Sequence, residues 1–222
     1  MKIRVRIAPS PTGNFHIGNA RSFLFNWLFA KHNKGEMIFR IEDTDLERSK
    51  KEYEQNIIDG LEWLGITWDN KQIYRQSERL EIYEKYLKKL LDSGAAFWCD
   101  HTKEELEAEQ KEQMAKKEAL RHVCSHKKDS RDKGEIIRLA VDENSTRVIH
   151  FDDAIRGTIE WEERLIGNLS LAKDLRTPLY NFAVVTDDVD MDISHVIRGE
   201  DHISNTPKQI LIYEALGIKP PI

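Results

Sequence analysis

The N-terminal part of the chain changes from one hydrophobic period to another. Residues 2–7 alternate polar and apolar side chains, the period of a β-strand, and from about Gly18 to His32 the apolar positions follow the period of a helix. Gly35 is typical of a helix end, and Met37–Ile41 has the apolar pattern of a second buried strand. A strand, a helix and a strand in this order predict a right-handed βαβ unit of a parallel sheet.

The later patterns are more varied. Apolar residues at helical spacing up to Leu64 predict a second crossover helix that ends at Gly65, and we expect its neighbours Trp63 and Trp68 to be core residues. A third helix is expected over 78–92, and several short strands over 135–169. The apolar runs at 183–185 and 195–197 are expected to be returning strands. Thr206 is expected to cap a last helix that runs to about Leu216 and is stopped by Gly217.

Composition narrows the class of protein. The 222 residues carry 33% charged side chains and a net charge of -5, and no apolar run approaches the length of a membrane span. We therefore expect a protein of the cytoplasm that does not coat nucleic acid indiscriminately. Residues 111–133 nevertheless hold eight basic against four acidic side chains, a local balance of +4. On charge alone, a solvated helix face is the simpler interpretation of this stretch.

The turn between the first strand and the first helix has the geometry of a nucleotide site. It contains Pro9, Pro11 and Gly13, and a helix that opens at a glycine presents unpaired N–H groups to a phosphate. Gly13 and Gly18 have the GxxxxG spacing of a P-loop, but Asn19 and Ala20 stand where that loop requires Lys and Ser or Thr. This excludes a P-loop kinase or GTPase.

Two further features predict chemistry. Arg6 lies near the end of a strand that is expected to be central, so its guanidinium requires an anionic partner, either a substrate or Glu42 or Asp43. The carboxyl ends of parallel strands are also where ligands of such sheets bind. Separately, the only two cysteines form two Cys-x-His pairs, Cys99 with His101 and Cys124 with His126. These four residues can hold a tetrahedral Zn²⁺, and the alternative is two free thiols beside solvated histidines.

Three motifs carry a resemblance to a known family. SPTGNFHIG at 10–18, RIEDTD at 40–45 and RGEDH at 198–202 resemble the signatures of glutamyl-tRNA synthetases, which are class I aminoacyl-tRNA synthetases. An imidazole N–H of His16 at a helix N-terminus suits the charge that builds on an α-phosphate, and Gly18 lets an adenine approach the backbone. Asn19 departs from the family, which usually has a second histidine there, and it can donate a hydrogen bond but cannot carry charge.

The resemblance implies a set of site residues. It assigns the catalytic role to His16 and Asn19. It implies that ATP, with Mg²⁺, contacts Pro9, Ser10, Thr12, His16, Gly18, Asn19 and Asp201. It implies that L-glutamate contacts Arg6, Ala8, Ser10, Glu42, Tyr180, Asn181, Val184 and Arg198, with Glu42 taking the ammonium group and Arg198 a carboxylate. It places the tRNA 3′ end near Thr44, Asp45 and Arg48.

The resemblance also implies the domain organisation. The fold class is α/β, a Rossmann-type parallel sheet with an inserted α+β connective-peptide domain that grips the tRNA acceptor end. We expect the catalytic fold over 1–76 and 179–222 and the insertion over 77–178. Some bacterial members carry zinc at the place that matches Cys99–His126, which favours a structural zinc ion here. FDDAIRGTIEW at 151–161 resembles a segment of architectural role.

The expected function is that of a glutamate–tRNA ligase acting as a monomer on tRNA(Glu). The lysine loop and anticodon-binding domains of the family have no counterpart before Ile222, so we expect a truncated catalytic half that binds glutamate or ATP weakly and activates poorly. Two alternatives stay open. One is the small paralogue that attaches glutamate to a modified base of tRNA(Asp), and the other is a non-catalytic zinc and RNA-binding module that depends on Cys99–Lys133.

Overall fold

The computed structural model describes residues 2–125, 127–128 and 134–222, except for the side chain of Lys128. The chain divides into two compact units. The first comprises the chain up to Leu80 together with Thr186–His202 and Pro220–Ile222. The second comprises Glu81–Val185 and Ile203–Lys219.

A parallel sheet forms the centre of the first unit. Its strands are β1 (Arg4–Ile7), β2 (Glu36–Ile41) and β3 (Tyr74–Arg75), in the order β1-β2-β3, and helix α1 (Ile17–His32) connects the first two. The register pairs Arg6 with Ile38 and Ile7 with Phe39. The βαβ unit predicted from the hydrophobic periods is therefore confirmed. Helix α2 (Lys51–Trp63) leads from β2 to β3.

The period of two along β1 and β2 gives the sheet two different faces. Val5, Ile7, Met37, Phe39 and Ile41 pack with residues of α1 and α2 in one apolar core. Each such buried side chain stabilises the fold by about 1.5–3 kcal/mol relative to an exposed one. The intervening positions place Arg6, Ile38 and Arg40 on the opposite face, where Ile38 packs with Met191 and Ile193. One face of this sheet is thus apolar and the other carries buried guanidinium groups.

One of the two tryptophans was assigned wrongly from sequence. Trp63 is 86% exposed, whereas Trp68 packs edge-on against Phe39 with ring centroids 5.0 Å apart. In α2 the buried side chains are Ile57 and Leu61, one helical turn apart. A residue two positions after Leu61 lies about 200° around the helix from it, so Trp63 points away from the sheet. Gly65, with φ +69°, ends the helical segment as predicted.

The second unit contains an antiparallel sheet. Its strands lie in the order β10-β9-β6-β4-β5, and β7 and β8 form a separate hairpin. The strand bounds are β4 (Ala96–Cys99), β5 (Lys127–Lys128), β6 (Ile136–Leu139), β7 (Val148–Asp153), β8 (Gly157–Glu162), β9 (Ser170–Asp174) and β10 (Thr177–Pro178). The helices of this unit are α3 (Leu80–Asp92), α4 (Lys103–Lys116) and α6 (Thr206–Ala215), and α5 (Tyr180–Asp190) begins in this unit and continues into the first unit from Thr186.

Helix α4 covers the first part of the basic stretch that begins at Lys111. The helix starts with a capping box in which Thr102 and Glu105 exchange side-chain and backbone hydrogen bonds, and none of its residues is buried. Lys111 and Lys116 therefore lie on a solvated helix, and residues 129–133 of the basic stretch lie outside the described residues.

The C-terminal apolar runs correct two expectations. Residues 183–185 are not a strand but the middle of α5, with all three side chains buried, and residues 195–197 form no strand. A short apolar run that is buried on all sides has no period to distinguish a helix from a strand. The last helix occurs as predicted, but Asn205 is its N-cap and Thr206 its first residue. Among the described residues, no helix combines the length and the apolar character that crossing a membrane requires.

Candidate active site and metal-binding cluster

Arg6 and Glu42 lie at the carboxyl ends of neighbouring parallel strands. The Glu42 N–H donates to the Pro9 carbonyl over 2.9 Å, which extends the β1–β2 pairing beyond the strands. Arg6 is 5% exposed and Glu42 6%. Since ligands of parallel sheets bind at this edge, both side chains lie where a substrate is expected.

The anionic partner of Arg6 is Asp188, and not Glu42 or Asp43. Arg6 Nε lies 3.3 Å from both carboxylate oxygens of Asp188, in the last turns of α5. Arg40, fully buried, donates from Nη1 to Asp188 Oδ1 over 2.8 Å and from Nη2 to Glu42 Oε1 over 2.9 Å. Arg6, Asp188, Arg40 and Glu42 therefore form one continuous buried ion-pair chain.

Asp187 extends this chain of buried ion pairs towards β3. Asp187 accepts hydrogen bonds from Arg79 Nε over 2.7 Å and from Gln76 Nε2 over 2.8 Å, and its Oδ2 lies 3.6 Å from Arg40 Nε. Sequence reasoning did not select Arg40, Asp187 or Asp188. An arginine inside an apolar strand and two adjacent acids inside an apolar helix were the available signal, because buried charges require partners.

The balance between burial and the neighbouring arginines shifts the pKa values of the two carboxyl groups in the ion-pair chain in opposite directions. Burial raises the pKa of Glu42, against the opposing effect of Arg40. Burial would also raise the pKa of Asp188, but Arg6 and Arg40 outweigh it and hold that pKa below its ordinary value. Of the two carboxyl groups in the ion-pair chain, Asp188 is therefore the one whose ionised form the folded protein stabilises.

His16 is the N-cap of α1. Its Nδ1 accepts a hydrogen bond from the Gly18 N–H over 3.2 Å, so Nε2 of the neutral ring is the nitrogen that carries the proton. A Cβ at residue 18 would lie 3.0 Å from two atoms of the imidazole. Gly18 therefore lets the imidazole lie over the start of the helix, where an N–H donor and the helix dipole both face an anion.

Helix α2 holds the loop that carries His16. The Phe15 N–H donates to Asn56 Oδ1 over 2.8 Å, and the Phe15 ring stacks on Phe23 with centroids 6.0 Å apart. A Cβ at Gly60 would lie only 2.3 Å from the Phe15 ring. Residues of the preceding turn alternate in exposure, with Pro9 and Pro11 buried and Ser10 and Thr12 exposed.

His202 of the RGEDH motif lies within the electrostatic range of Arg6. His202 lies in a 3₁₀ helix (Glu200–Asn205), with Nε2 3.5 Å from Asp201 Oδ2. Burial lowers the pKa of His202, and the positive charges of Arg198 and Arg6 add to this effect, whereas Asp201 opposes it. Arg6 and Arg198 therefore act on the same imidazole within the first unit.

The remaining residues that the resemblance selected lie in other places. Tyr180, Asn181 and Val184 lie in the first turns of α5, in the second unit, where Val184 is buried and Asn181 Oδ1 accepts from Gln209 Nε2 over 3.1 Å. In the loop after β2, Arg48 Nε lies 2.6 Å from Asp45 Oδ2, and this hydrogen bond lowers the pKa of Asp45.

Two cysteines and two histidines of the second unit converge on one point. The ligand atoms of Cys99, His101, His122 and Cys124 all lie within 4.8 Å of one another. Cys99 Sγ lies 3.4 Å from His101 Nδ1 and 3.5 Å from His122 Nε2, and Cys124 Sγ lies 3.7 Å from His101 Nδ1. In a tetrahedral zinc site with ordinary Zn–S and Zn–N bonds, sulfur and nitrogen ligands are about 3.5 Å apart. The cluster thus has the donor set and the spacing for a metal ion.

A carboxylate supports this cluster from outside. His122 Nδ1 lies 2.6 Å from Glu109 Oε2 of α4, which leaves Nε2 directed at Cys99. This carboxylate–histidine arrangement is typical of metal sites, because it fixes the ring and raises its basicity. Burial lowers the pKa of His122, which favours the neutral, metal-binding form.

The histidine at position 122 was missed from sequence. His126, the expected fourth ligand, lies outside the described residues, and the described cluster has His122 as its fourth member. The signal was available, because His122-Val-Cys124 repeats in reverse the spacing of Cys99-Asp-His101. Choosing between His122 and His126 requires the strand geometry that the sequence does not contain.

The parallel sheet, the buried charges at its strand ends and the histidine at the start of α1 define a Rossmann-like nucleotide-binding fold, as predicted. A sequence profile described as "tRNA synthetases class I (E and Q), catalytic domain" matches residues 2–222. The chain therefore belongs to this family, which confirms the resemblance drawn from the three motifs.

Individual relatives agree with the family assignment. The chain is 51% identical over 235 residues to a glutamate–tRNA ligase of Trichormus variabilis, with 100% of this chain and 48% of the relative covered. It is 50% identical to that of Hydrogenobaculum sp., with 99% and 48% covered. A crystal structure of a glutamate tRNA ligase from Elizabethkingia meningosepticum in complex with its amino acid matches with a TM-score of 0.89 at 35% identity, covering 100% of this chain and 48% of that one. The chain spans about half the length of these relatives.

Proposed function

We propose that this chain carries the amino-acid-activating site of a glutamate–tRNA ligase. In the reaction, the α-carboxylate of L-glutamate attacks the α-phosphate of ATP, and the resulting glutamyl-adenylate acylates the 3′ end of tRNA(Glu). The observation that carries the proposal is the buried ion-pair chain from Arg6 to Glu42 at the carboxyl ends of β1 and β2. It presents a guanidinium and a carboxylate side by side, which suits an amino acid with an ammonium group and two carboxylates.

The roles within the first unit follow from charge. Glu42 accepts the ammonium group of glutamate, since its Oε1 is held by Arg40 and a carboxylate has further acceptor capacity. Arg6, with Arg198, binds a carboxylate, and Ala8 and Ser10 complete the strand end. The roles of Tyr180, Asn181 and Val184 stay predictions of the family resemblance.

ATP would bind at the start of α1. His16 Nε2 donates to the α-phosphate as charge builds there, with Asn19 as a second, uncharged donor. Pro9, Ser10 and Thr12 shape the turn beside it, Gly18 admits the purine, and Asp201 faces the ribose or the phosphates. Mg²⁺, when bound with ATP, would neutralise phosphate charge. Alignment of the two substrates and charge stabilisation supply most of the rate, with no covalent enzyme intermediate.

A binding experiment tests this function. We expect isothermal titration with a non-hydrolysable sulfamoyl analogue of glutamyl-adenylate to show saturable binding at one site, with weaker binding of the glutaminyl analogue. The His16→Ala variant should bind the glutamyl analogue more weakly, and His32→Ala, which alters an exposed histidine at the other end of α1, should bind it like the wild type. Equal affinity for both analogues, or no binding by the wild type, would contradict the proposal.

The partner we propose is tRNA(Glu). Thr44, Asp45 and Arg48 lie in the loop directly after β2 and Glu42, which supports contact with the 3′ end, and the basic stretch from Lys111 supports contact with the acceptor backbone. The Arg48→Ala variant should raise the KM for tRNA and leave the KM for ATP unchanged. A monomer in the cytoplasm is the form we propose, and size-exclusion chromatography checks the oligomeric state.

We further propose that the Cys99, His101, His122 and Cys124 cluster holds a structural Zn²⁺. Two thiolates neutralise the ion, and the Glu109–His122 pair orients one ligand. Metal content of purified protein, measured by mass spectrometry, should be one zinc per chain and should fall in His122→Ala. His126→Ala is the matched control. It should keep the full zinc content, because the cluster described above has four ligands without His126. Loss of zinc in His126→Ala alone would restore the ligand set predicted from sequence.

A further inference from the structure

We propose that Asp188 and Arg40 are positioning residues that set the selection of an acidic amino acid by holding Arg6 and Glu42 in one fixed arrangement. This inference rests on the function proposed above. Neither residue is expected to touch the substrate, because both carboxylate oxygens of Asp188 accept from Arg6, and the fully buried Arg40 donates to Asp188 and Glu42.

Asp188 determines which edge of Arg6 is available. Arg6 Nε lies 3.3 Å from both Asp188 oxygens, and the described hydrogen bonds of Arg6 use Nε alone. A guanidinium held at Nε keeps its two terminal nitrogens as a planar pair, which matches the two oxygens of a carboxylate. A neutral amide in a substrate offers one oxygen and repels the second N–H with its own NH₂ group. The orientation imposed by Asp188 is therefore what allows Arg6 to discriminate glutamate from glutamine.

Arg40 connects this orientation to Glu42. Its Nη1 and Nη2 donate to Asp188 over 2.8 Å and to Glu42 over 2.9 Å, so a single planar group fixes the spacing of the two carboxylates. The set Arg6, Arg40, Asp188 and Glu42 is neutral as a whole. Without the Asp188 charge, Arg40 would draw closer to Glu42 and compete with a substrate ammonium group.

A simple role in stability makes a different prediction. If the chain of ion pairs only held α5 against the sheet, removing one charge would lower the fraction of folded protein and reduce binding of all ligands together. A positioning role instead changes the affinity for the amino-acid part of a ligand and leaves the affinity for ATP unchanged.

The test uses Asp188→Asn, with Asp190→Asn as the matched control. Asp190 lies two residues later on the same helix, is partly exposed, and pairs with Arg79 rather than with Arg6 or Arg40. We expect titration calorimetry to show glutamyl-adenylate analogue affinity at least tenfold lower in Asp188→Asn, a reduced preference over the glutaminyl analogue, and ATP affinity within twofold of the wild type. Asp190→Asn should match the wild type in all three.

A second pair of variants keeps the test independent of folding. Arg40→Lys retains the charge but cannot bridge two carboxylates in one plane, and we expect it to lose the glutamyl preference. Asp188→Glu restores the charge and should recover part of the preference. Unchanged preference in both Asp188→Asn and Arg40→Lys would overturn the inference, as would an equal loss of affinity for the analogue and for ATP. A wild-type chain that fails to bind the glutamyl analogue would instead overturn the proposed function.

Discussion

The two units each bury a cluster of ionisable side chains, but they satisfy those groups in opposite ways. In the first unit, Arg6 and Arg40 pair with Asp188 and Glu42, so every charge has a counter-charge within the protein. In the second unit, Cys99, His101, His122 and Cys124 contact one another, and all four are electron-pair donors. The first cluster is complete as it stands, whereas the second has the donor set that a cation would complete.

The two clusters therefore differ in how they affect the stability of the fold and in whether an ion in solution can change that stability. The attraction between opposite charges offsets only part of the free energy needed to remove them from water, so the intact first cluster adds little to the stability of the fold. Removing one of its members is nevertheless strongly destabilising, because a buried charge then loses its partner. A cluster of metal ligands couples its own folding to the concentration of the ion. The charges of the first unit thus fix its own geometry, and the proposed Zn²⁺ would make the geometry of the second cluster depend on metal.

The largest effect should follow from removing a thiolate. Cys124→Ser deletes a buried ligand, and because structural zinc sites contribute about 10–16 kcal/mol of apparent binding free energy, most of the metal-dependent stability should be lost. Calorimetric scans with and without Zn²⁺ measure this as a shift in the unfolding temperature of the second unit. Mg²⁺ is the control ion and should shift neither protein. A shift of the same size in Cys124→Ser and the wild type would show that the cluster does not bind the ion.

The next largest effect should be the decrease in the free energy of unfolding when Arg40 is removed from the first cluster, whose four charges neutralise one another. Arg40→Met leaves Asp188 and Glu42 without a shared counter-charge in a fully buried place, and breaking a buried pair in this way costs about 3–5 kcal/mol. Urea unfolding measures the free energy of unfolding directly. Arg176→Met is the control, since Arg176 pairs with Glu84 at 3.5 Å with 57% of its side chain exposed, and should cost under about 1 kcal/mol. Equal losses in the two variants would contradict the comparison.

The fold of the first unit was predictable because its strands and helices have clear periods. The alternation before Ile7, the helical spacing after Gly18 and the apolar pattern of Met37–Ile41 correctly predicted β1, α1 and β2 and their parallel order. The error at Trp63 came from treating an aromatic side chain near a helix end as core without counting its angle from Leu61. The prediction of a strand at 183–185 was wrong for a different reason, because a helix that is buried on all sides shows no hydrophobic period.

The site was predictable at its ends and not in its centre. His16 and Glu42 stand in recognisable motifs, and Arg6 is a charged residue near the end of an expected central strand, so the importance of all three could be predicted from the sequence. Arg40 and Asp188 are 148 positions apart, and their contact depends on how α5 packs on the sheet. Long-range partners of this kind leave only a weak trace in sequence, which is a charge placed where the pattern requires an apolar residue.

A smaller effect should separate the metal ligands from the residue that supports them. Glu109→Gln removes the carboxylate that holds His122 Nδ1 but keeps all four ligands, and loss of such a contact to a ligand weakens metal affinity about 10–100-fold. Competition with a chromophoric chelator measures the affinity. Glu112→Gln alters an exposed carboxylate of the same helix that pairs with Lys116, and should leave zinc affinity unchanged. An unchanged affinity in Glu109→Gln would show that the cluster gains nothing from this contact.

The smallest effect should be a pH dependence confined to the first cluster. The pKa of Asp188 is lowered in the folded state, so its pairing stabilises the protein fully above its unfolded pKa of about 3.9 and is lost as pH falls through the folded value. Urea unfolding of the wild type and Asp188→Asn should therefore show a constant difference near neutral pH and a shrinking one below about pH 4. Glu42, whose pKa burial raises, acts in the opposite sense and favours the folded state at low pH, so Glu42→Gln should show a difference that shifts in the reverse direction. A wild-type advantage over Asp188→Asn that grows on acidification would mean that the folded protein does not stabilise the ionised form of Asp188, and the distinction between a self-neutralised cluster and a metal-dependent one would lose its electrostatic basis.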